Sequence, residues 1–195
     1  MNYIHYEKNK NDLIKSYFIA LIPLIIFSIY KNGILLFQND LVHLKDIFIP
    51  IYFYVVSIII AFIISKILKE DKKELILTSL IVSLSLSINT NMIIYPILLF
   101  VGLFILEYIK KTTKLKFNWN AFLHLILILA LLLNSYSYLN IAEKLNVFQY
   151  NLFDVFLGFT KGSLGTTSLF LILIGLFILL QNRFYKKNIA KKTKV

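Results

Sequence analysis

Residues Ile47–Leu68 read IFIPIYFYVVSIIIAFIISKIL, an apolar run with one charge, Lys66, near its end. A helix needs about 20 such residues to cross the roughly 30 Å hydrocarbon core of a bilayer. Runs of the same character recur along the chain. Overall, 58% of residues are hydrophobic and 16% are charged, where soluble domains carry about a quarter charged residues. The mean hydropathy is +0.76. So much apolar surface exceeds what one water-soluble core can hide, so the expected solvent is lipid. In lipid the backbone must satisfy itself within each segment, and a helix does so. The expected fold class is therefore an all-α integral membrane protein of about six transmembrane helices.

In order, the predicted spans begin with Ser16–Tyr30, which contains Pro23 and is short unless it continues past Lys31 into Ile34–Phe37. Ile47–Leu68 is the second. Leu75–Ile88 (LILTSLIVSLSLSI) is short and semi-polar, consistent with a half-helix that does not cross fully. Asn89-Thr90-Asn91 reads as a turn, and Met92–Ile109 is the fourth span. Ala121–Leu133 is the fifth, and the sixth ends near Leu180. Residues 1–15 form a polar N-terminal segment, 16–180 a single six-span membrane domain, and 181–195 a basic tail. The N-terminus lacks a signal-peptide pattern, so the first run is expected to be retained.

Charge orients these spans. The N-terminus, residues 66–74, residues 110–116 and the tail carry three, four, four and six Lys/Arg. The opposite side carries only Lys31, Lys45, Lys144 and Lys161. Basic residues mark cytoplasmic loops, so both termini are expected in the cytoplasm of a cell-membrane protein. This asymmetry also accounts for the net charge of +11 without a nucleic-acid partner. The tail would have affinity for anionic lipid. The absence of cysteine excludes disulfides, thiolate metal sites and Cys nucleophiles.

The chemistry-bearing stretch is Asp154–Ser168, DVFLGFTKGSLGTTS, with three of the six glycines at Gly158, Gly162 and Gly165. Asp154, Lys161 and five hydroxyls (Thr160, Ser163, Thr166, Thr167, Ser168) accompany them, and an apolar run opens at Leu169. Exposed amides at a helix start favour an anion, and Lys161 adds a charge. A phosphate or an electron-rich ring edge would fit. The competing reading is close helix packing, with the hydroxyls as interhelical glue. Physics alone holds the two about even. On the predicted topology this segment lies on the outer side.

Ser79, Ser83 and Ser87, with Thr78 and Ser85 nearby, make a small polar stripe on the third run; close helix packing is favoured over ligand lining. Glu107 is read as an interfacial residue paired with a lysine, and Asp154 taken alone as a helix cap or turn former. His5, His43 and His124 have no ligand spacing to one another, no metal site is arguable, and no catalytic grouping is visible.

Asp154-Val-Phe156-Leu-Gly158 followed by Gly162-Ser163-Leu-Gly165-Thr-Thr167-Ser168 resembles the central motif of the NqrB/RnfD membrane-subunit family. That pattern runs Asp-x-Phe-x-Gly, a spacer, then Pro-Gly-Ser-x-Gly-Glu-Thr-Ser opening a helix. Ala20-Leu21-Ile22-Pro23 and Phe117-Asn118-Trp119-Asn120-Ala121 are similar to two further landmarks, so the resemblance spans essentially the whole chain. Lys161 and Thr166 stand where the family has Pro and Glu. The Ser-Gly-Ala-Thr motif that carries covalent FMN has no counterpart in residues 134–150. The resemblance is therefore to a half-length, RnfD-like relative.

What the resemblance implies is a flavin-linked electron-transport subunit, a possible part of a redox-driven translocase. It would bind FMN or riboflavin non-covalently near the outer face through Asp154, Gly158, Lys161, Gly162, Ser163, Gly165, Thr166, Thr167 and Ser168. Other membrane or extracellular electron-transfer subunits would be its partners, and the flavin would carry the chemistry. Two other readings stand beside it. One is the substrate-binding membrane component of a vitamin transporter, for example for riboflavin. The other is a structural subunit whose glycines serve packing only. No membrane-embedded acidic cluster is visible from which ion pumping could be inferred.

Overall fold

A computed structural model describes residues 4–113, 151–160 and 162–192. The predicted fifth span with His124, and Lys161 in the glycine segment, lie outside the described residues. Every regular element among those described is helical.

Helix α1 (Ile4–Ile29) runs through Pro23 and continues as a π-helical turn, Tyr30–Leu35, closed by Leu36–Gln38. The first span thus does extend past Lys31. The continuous stretch Ile14–Gln38 is long and apolar enough to cross a membrane. A short 3-10 segment, Leu44–Phe48, leads into α2 (Ile49–Leu68), and Leu44–Leu68 is the second stretch that meets the same test. Pro50 sits in the first turn of α2, where no intrahelical N–H bond is lost. Lys69, in the left-handed conformation, ends the helix by donating its N–H to Ser65 O.

Helix α3 (Lys72–Leu84) starts at Asp71, whose carboxylate accepts the Lys73 N–H at 3.0 Å. It has 13 residues, which at 1.5 Å per residue is about 20 Å, short of a full crossing. Helix α4 (Ile94–Thr113) follows a turn in which the Asn91 side chain accepts the N–H groups of Ile93 and Ile94. The last described elements are the short α5 (Leu152–Leu157) and the long α6 (Leu169–Lys192). Within α4 and α6 the apolar parts, Ile94–Tyr108 and Leu169–Gln181, are shorter.

The core sits where α2, α3 and α4 meet, around Phe53, Ala61, Ile64, Leu75, Val82, Leu99 and Leu103. Small residues let the backbones approach: Ser57, Ala61 and Ser65 on α2, Ser79 and Ser83 on α3, all buried. The serine stripe therefore packs, as expected. Ser79 and Ser83 donate their hydroxyls to Ile76 O (2.9 Å) and Leu80 O (2.8 Å) of their own helix. Two buried tyrosine–serine pairs, Tyr54 with Ser28 and Tyr95 with Ser57, join α2 to α1 and α2 to α4. Buried phenols need such partners. Helix α6 lies along α1, where Gly175 leaves room for the Ala20 backbone. Outward surfaces are apolar, with Ile22, Ile26, Ile59, Ile97, Ile105, Leu176 and Phe177 exposed. In water such a belt would be a liability.

Candidate functional site

The short α3 ends inside the bundle, and its last carbonyls need donors. The glycine segment supplies them. Leu164 N–H donates to Leu86 O at 2.7 Å and Gly165 N–H to Leu84 O at 2.9 Å. Buried irregular backbone needs hydrogen-bond partners, and here the end of the short helix and the loop satisfy each other. Gly165 permits the approach, because a Cβ there would lie 2.1 Å from Leu84 Cδ2.

Gly158 caps α5 with φ +94°, a conformation L side chains avoid. Its N–H and that of Phe159 both donate to Asp154 O. A Cβ on Gly158 would meet Ser168 Cα at 2.6 Å, so the two ends of the loop touch backbone to backbone. Ser168, fully buried, accepts the Leu171 N–H at 3.2 Å and starts α6. Thr167 Oγ1 donates to Gly158 O at 3.0 Å, and the Ser163 and Thr166 hydroxyls pair with each other. A Cβ on Gly162 would meet Thr167 Cγ2 at 2.5 Å.

Two side chains of the first helix complete the arrangement. Lys31, on the π-helical turn and only 8% exposed, donates from Nζ to Thr160 O at 2.7 Å and to Thr167 Oγ1 at 2.8 Å. The neighbouring Asn32 donates from Nδ2 to Leu164 O at 2.9 Å and to Ser28 O at 3.1 Å. Gly33 then packs against Ile47, where a Cβ would lie 2.8 Å from the carbonyl oxygen. The loops 30–48, 84–93 and 158–168 thus gather at one end of the bundle.

The predicted site residues divide. Ser163, Gly165 and Ser168 are buried, Gly165 bonding the loop to α3 and Ser168 starting α6, whereas Thr166 is exposed and Gly162 and Thr167 are half-buried. Asp154 lies in the first turn of α5 and contributes its backbone carbonyl to the loop. Beside the loop end, an open cleft of about 340 Å³ has Leu41, His43, Asp46, Ile49, Ile88 and Met92 among its lining residues.

Lys31 and Asn32 are the participants that sequence reasoning missed as site residues; Lys31 reads there as a loop charge. The signal was the triplet Lys31-Asn32-Gly33 interrupting an otherwise apolar run. A charge in such a place is a functional pointer by default.

Apolar helices packed through small residues, one of them stopping short against a glycine loop, define a helical bundle with two stretches long and apolar enough to cross a membrane. The model of the NQR2, RnfD, RnfE family matches residues 1–192, and the chain belongs to that family. No curated protein and no solved structure matches it.

Proposed function

We propose that this protein is an RnfD/NqrB-like membrane subunit of a flavin-linked electron-transport complex, binding FMN or riboflavin non-covalently at the 158–168 loop. It would cross the cell membrane six times with both termini cytoplasmic, and the loop would lie near the outer face. Electrons would pass to and from other membrane or extracellular subunits.

The observation that carries the reading is the locked loop. A Cβ at Gly158 would meet the Ser168 backbone, and one at Gly162 or Gly165 the side chain of Thr167 or Leu84, and the loop is held by α1, α3 and its own hydroxyls. A backbone held this rigidly is pre-organised for a ligand, so little ordering cost remains on binding. The family match favours electron transport over vitamin uptake. The chain would supply binding and electrostatics, and the flavin its redox chemistry.

The test is purification in mild detergent with FMN or riboflavin present, followed by the absorbance spectrum of the protein. Bound flavin is expected in the wild type and in Ser79→Ala, and is lost in Gly162→Val. A wild-type protein that folds but retains no flavin removes the reading.

A further inference from the structure

We infer that the cleft between residues 41–49 and 88–92 binds a membrane lipid by its headgroup, and that the headgroup it takes is phosphoethanolamine, a zwitterion ending in a primary ammonium. Its occupancy stands or falls independently of flavin at the glycine loop.

The cleft has two fixed walls, the loop entering α2 and the turn between α3 and α4. Tyr52 ties them together by donating its hydroxyl to Met92 O at 2.9 Å. The volume of about 340 Å³ lies at the small end of ligand pockets, roughly 300–1,000 Å³, and suits a headgroup. In the second wall stands Thr90, 5% exposed, whose hydroxyl has no hydrogen-bond partner among the described residues. A buried hydroxyl is costly until something completes it, and a ligand seated in the cleft can do so.

Charge says what sort of ligand. Asp46 is the only carboxylate among the described lining residues, and no lysine or arginine is among them. One of its oxygens accepts the His43 N–H at 3.0 Å, and a carboxylate has about four acceptor sites in all. Helix starts attract anions through their free N–H groups. Here side chains already cap the two starts beside the cleft: Asp46 takes the His43 N–H, and Asn91 those of Ile93 and Ile94. A cation is therefore the better match for the cleft itself. Lys45, exposed and next to Asp46 in the chain, offers the opposite charge outside the lining, so a zwitterion can meet both. Leu44, Phe48 and Ile93, chain neighbours of the lining residues, are 65%, 63% and 76% exposed. Apolar surface of this kind suits acyl chains, and a free amine would leave it bare.

The test is native mass spectrometry of the full chain, released from non-ionic detergent after incubation with equal amounts of phosphatidylethanolamine, phosphatidylcholine and phosphatidylglycerol of matched acyl chains. Phosphatidylethanolamine is expected to be retained about tenfold over phosphatidylcholine, whose quaternary ammonium has no N–H to donate; that is the worth of one charge-assisted hydrogen bond. Asp46→Asn keeps an oxygen for the His43 N–H and should bring the two lipids to the same level. Thr90→Val keeps the side-chain shape, removes the hydroxyl, and should lower phosphatidylethanolamine retention. Equal retention of phosphatidylethanolamine and phosphatidylcholine by the wild type overturns the site. Preference for phosphatidylglycerol overturns it in favour of an anion site. A phosphatidylethanolamine preference that survives Asp46→Asn places the lipid elsewhere and overturns the cleft as its seat. Binding of free ethanolamine without retention of the lipid overturns the lipid in favour of a soluble amine.

Discussion

At the scale of single residues, the glycines are not equivalent. Gly158 is required twice, by a positive φ and by the Ser168 backbone 2.6 Å from any added Cβ. Placing an L residue in that conformation costs about 1–2 kcal/mol before the clash is counted. Gly165 faces only the tip of Leu84, with Leu84 Cβ at 3.4 Å. Gly158→Ala should therefore lower thermal stability in detergent and disrupt the loop, with no single partner able to relieve it. Gly165→Ala should also destabilise, and Leu84→Ala in the same chain should recover part of the loss. A melting series over the two single variants and the double variant checks this; strictly additive losses would count against the Leu84 contact as the cause.

At the scale of elements, α3 sets the geometry. It starts at a defined cap and stops short, so its terminal carbonyls turn to the loop. The cap is the Asp71 carboxylate on the Lys73 N–H. Asp71→Ala should cost about 1 kcal/mol, typical of a lost N-cap, seen as a modest drop in melting temperature with flavin binding retained. The short third helix was legible in the sequence, because LILTSLIVSLSLSI is too short and too rich in hydroxyls for a spanning run. Its partner was not. Nothing in the spacing of Leu84, Leu86, Leu164 and Gly165 tells that backbone groups so far apart in the chain will bond. The same holds for Lys31, whose place at the loop depends on α1 lying along α6.

At the scale of the molecule, α2 separates two ends. The loops 30–48, 84–93 and 158–168 meet at one, and residues 69–71 lie at the other, about 30 Å away for a helix of 20 residues. On the proposed topology the first set would lie outside. The chain has no cysteine, so single cysteines report cleanly. Lys45→Cys should react with an impermeant thiol reagent in whole cells, and Lys73→Cys only after lysis. The opposite pattern would invert the topology and move the glycine loop to the cytoplasmic side.

The sequence by itself determined the class of molecule, because long apolar runs leave a helix in lipid as the economical solution for the backbone. It also marked Asp154–Ser168, because glycines and hydroxyls gathered at the start of an apolar helix stand out against their surroundings. Only the tertiary structure decided how that segment is used. Gly165 bonds the loop to the end of α3, Ser168 starts α6, and Thr160 and Thr167 meet Lys31 of the first helix. The physical reason is that hydrogen bonds between distant backbone groups, and the burial of the Lys31 ammonium, depend on which helices lie side by side, and local pattern carries no record of that.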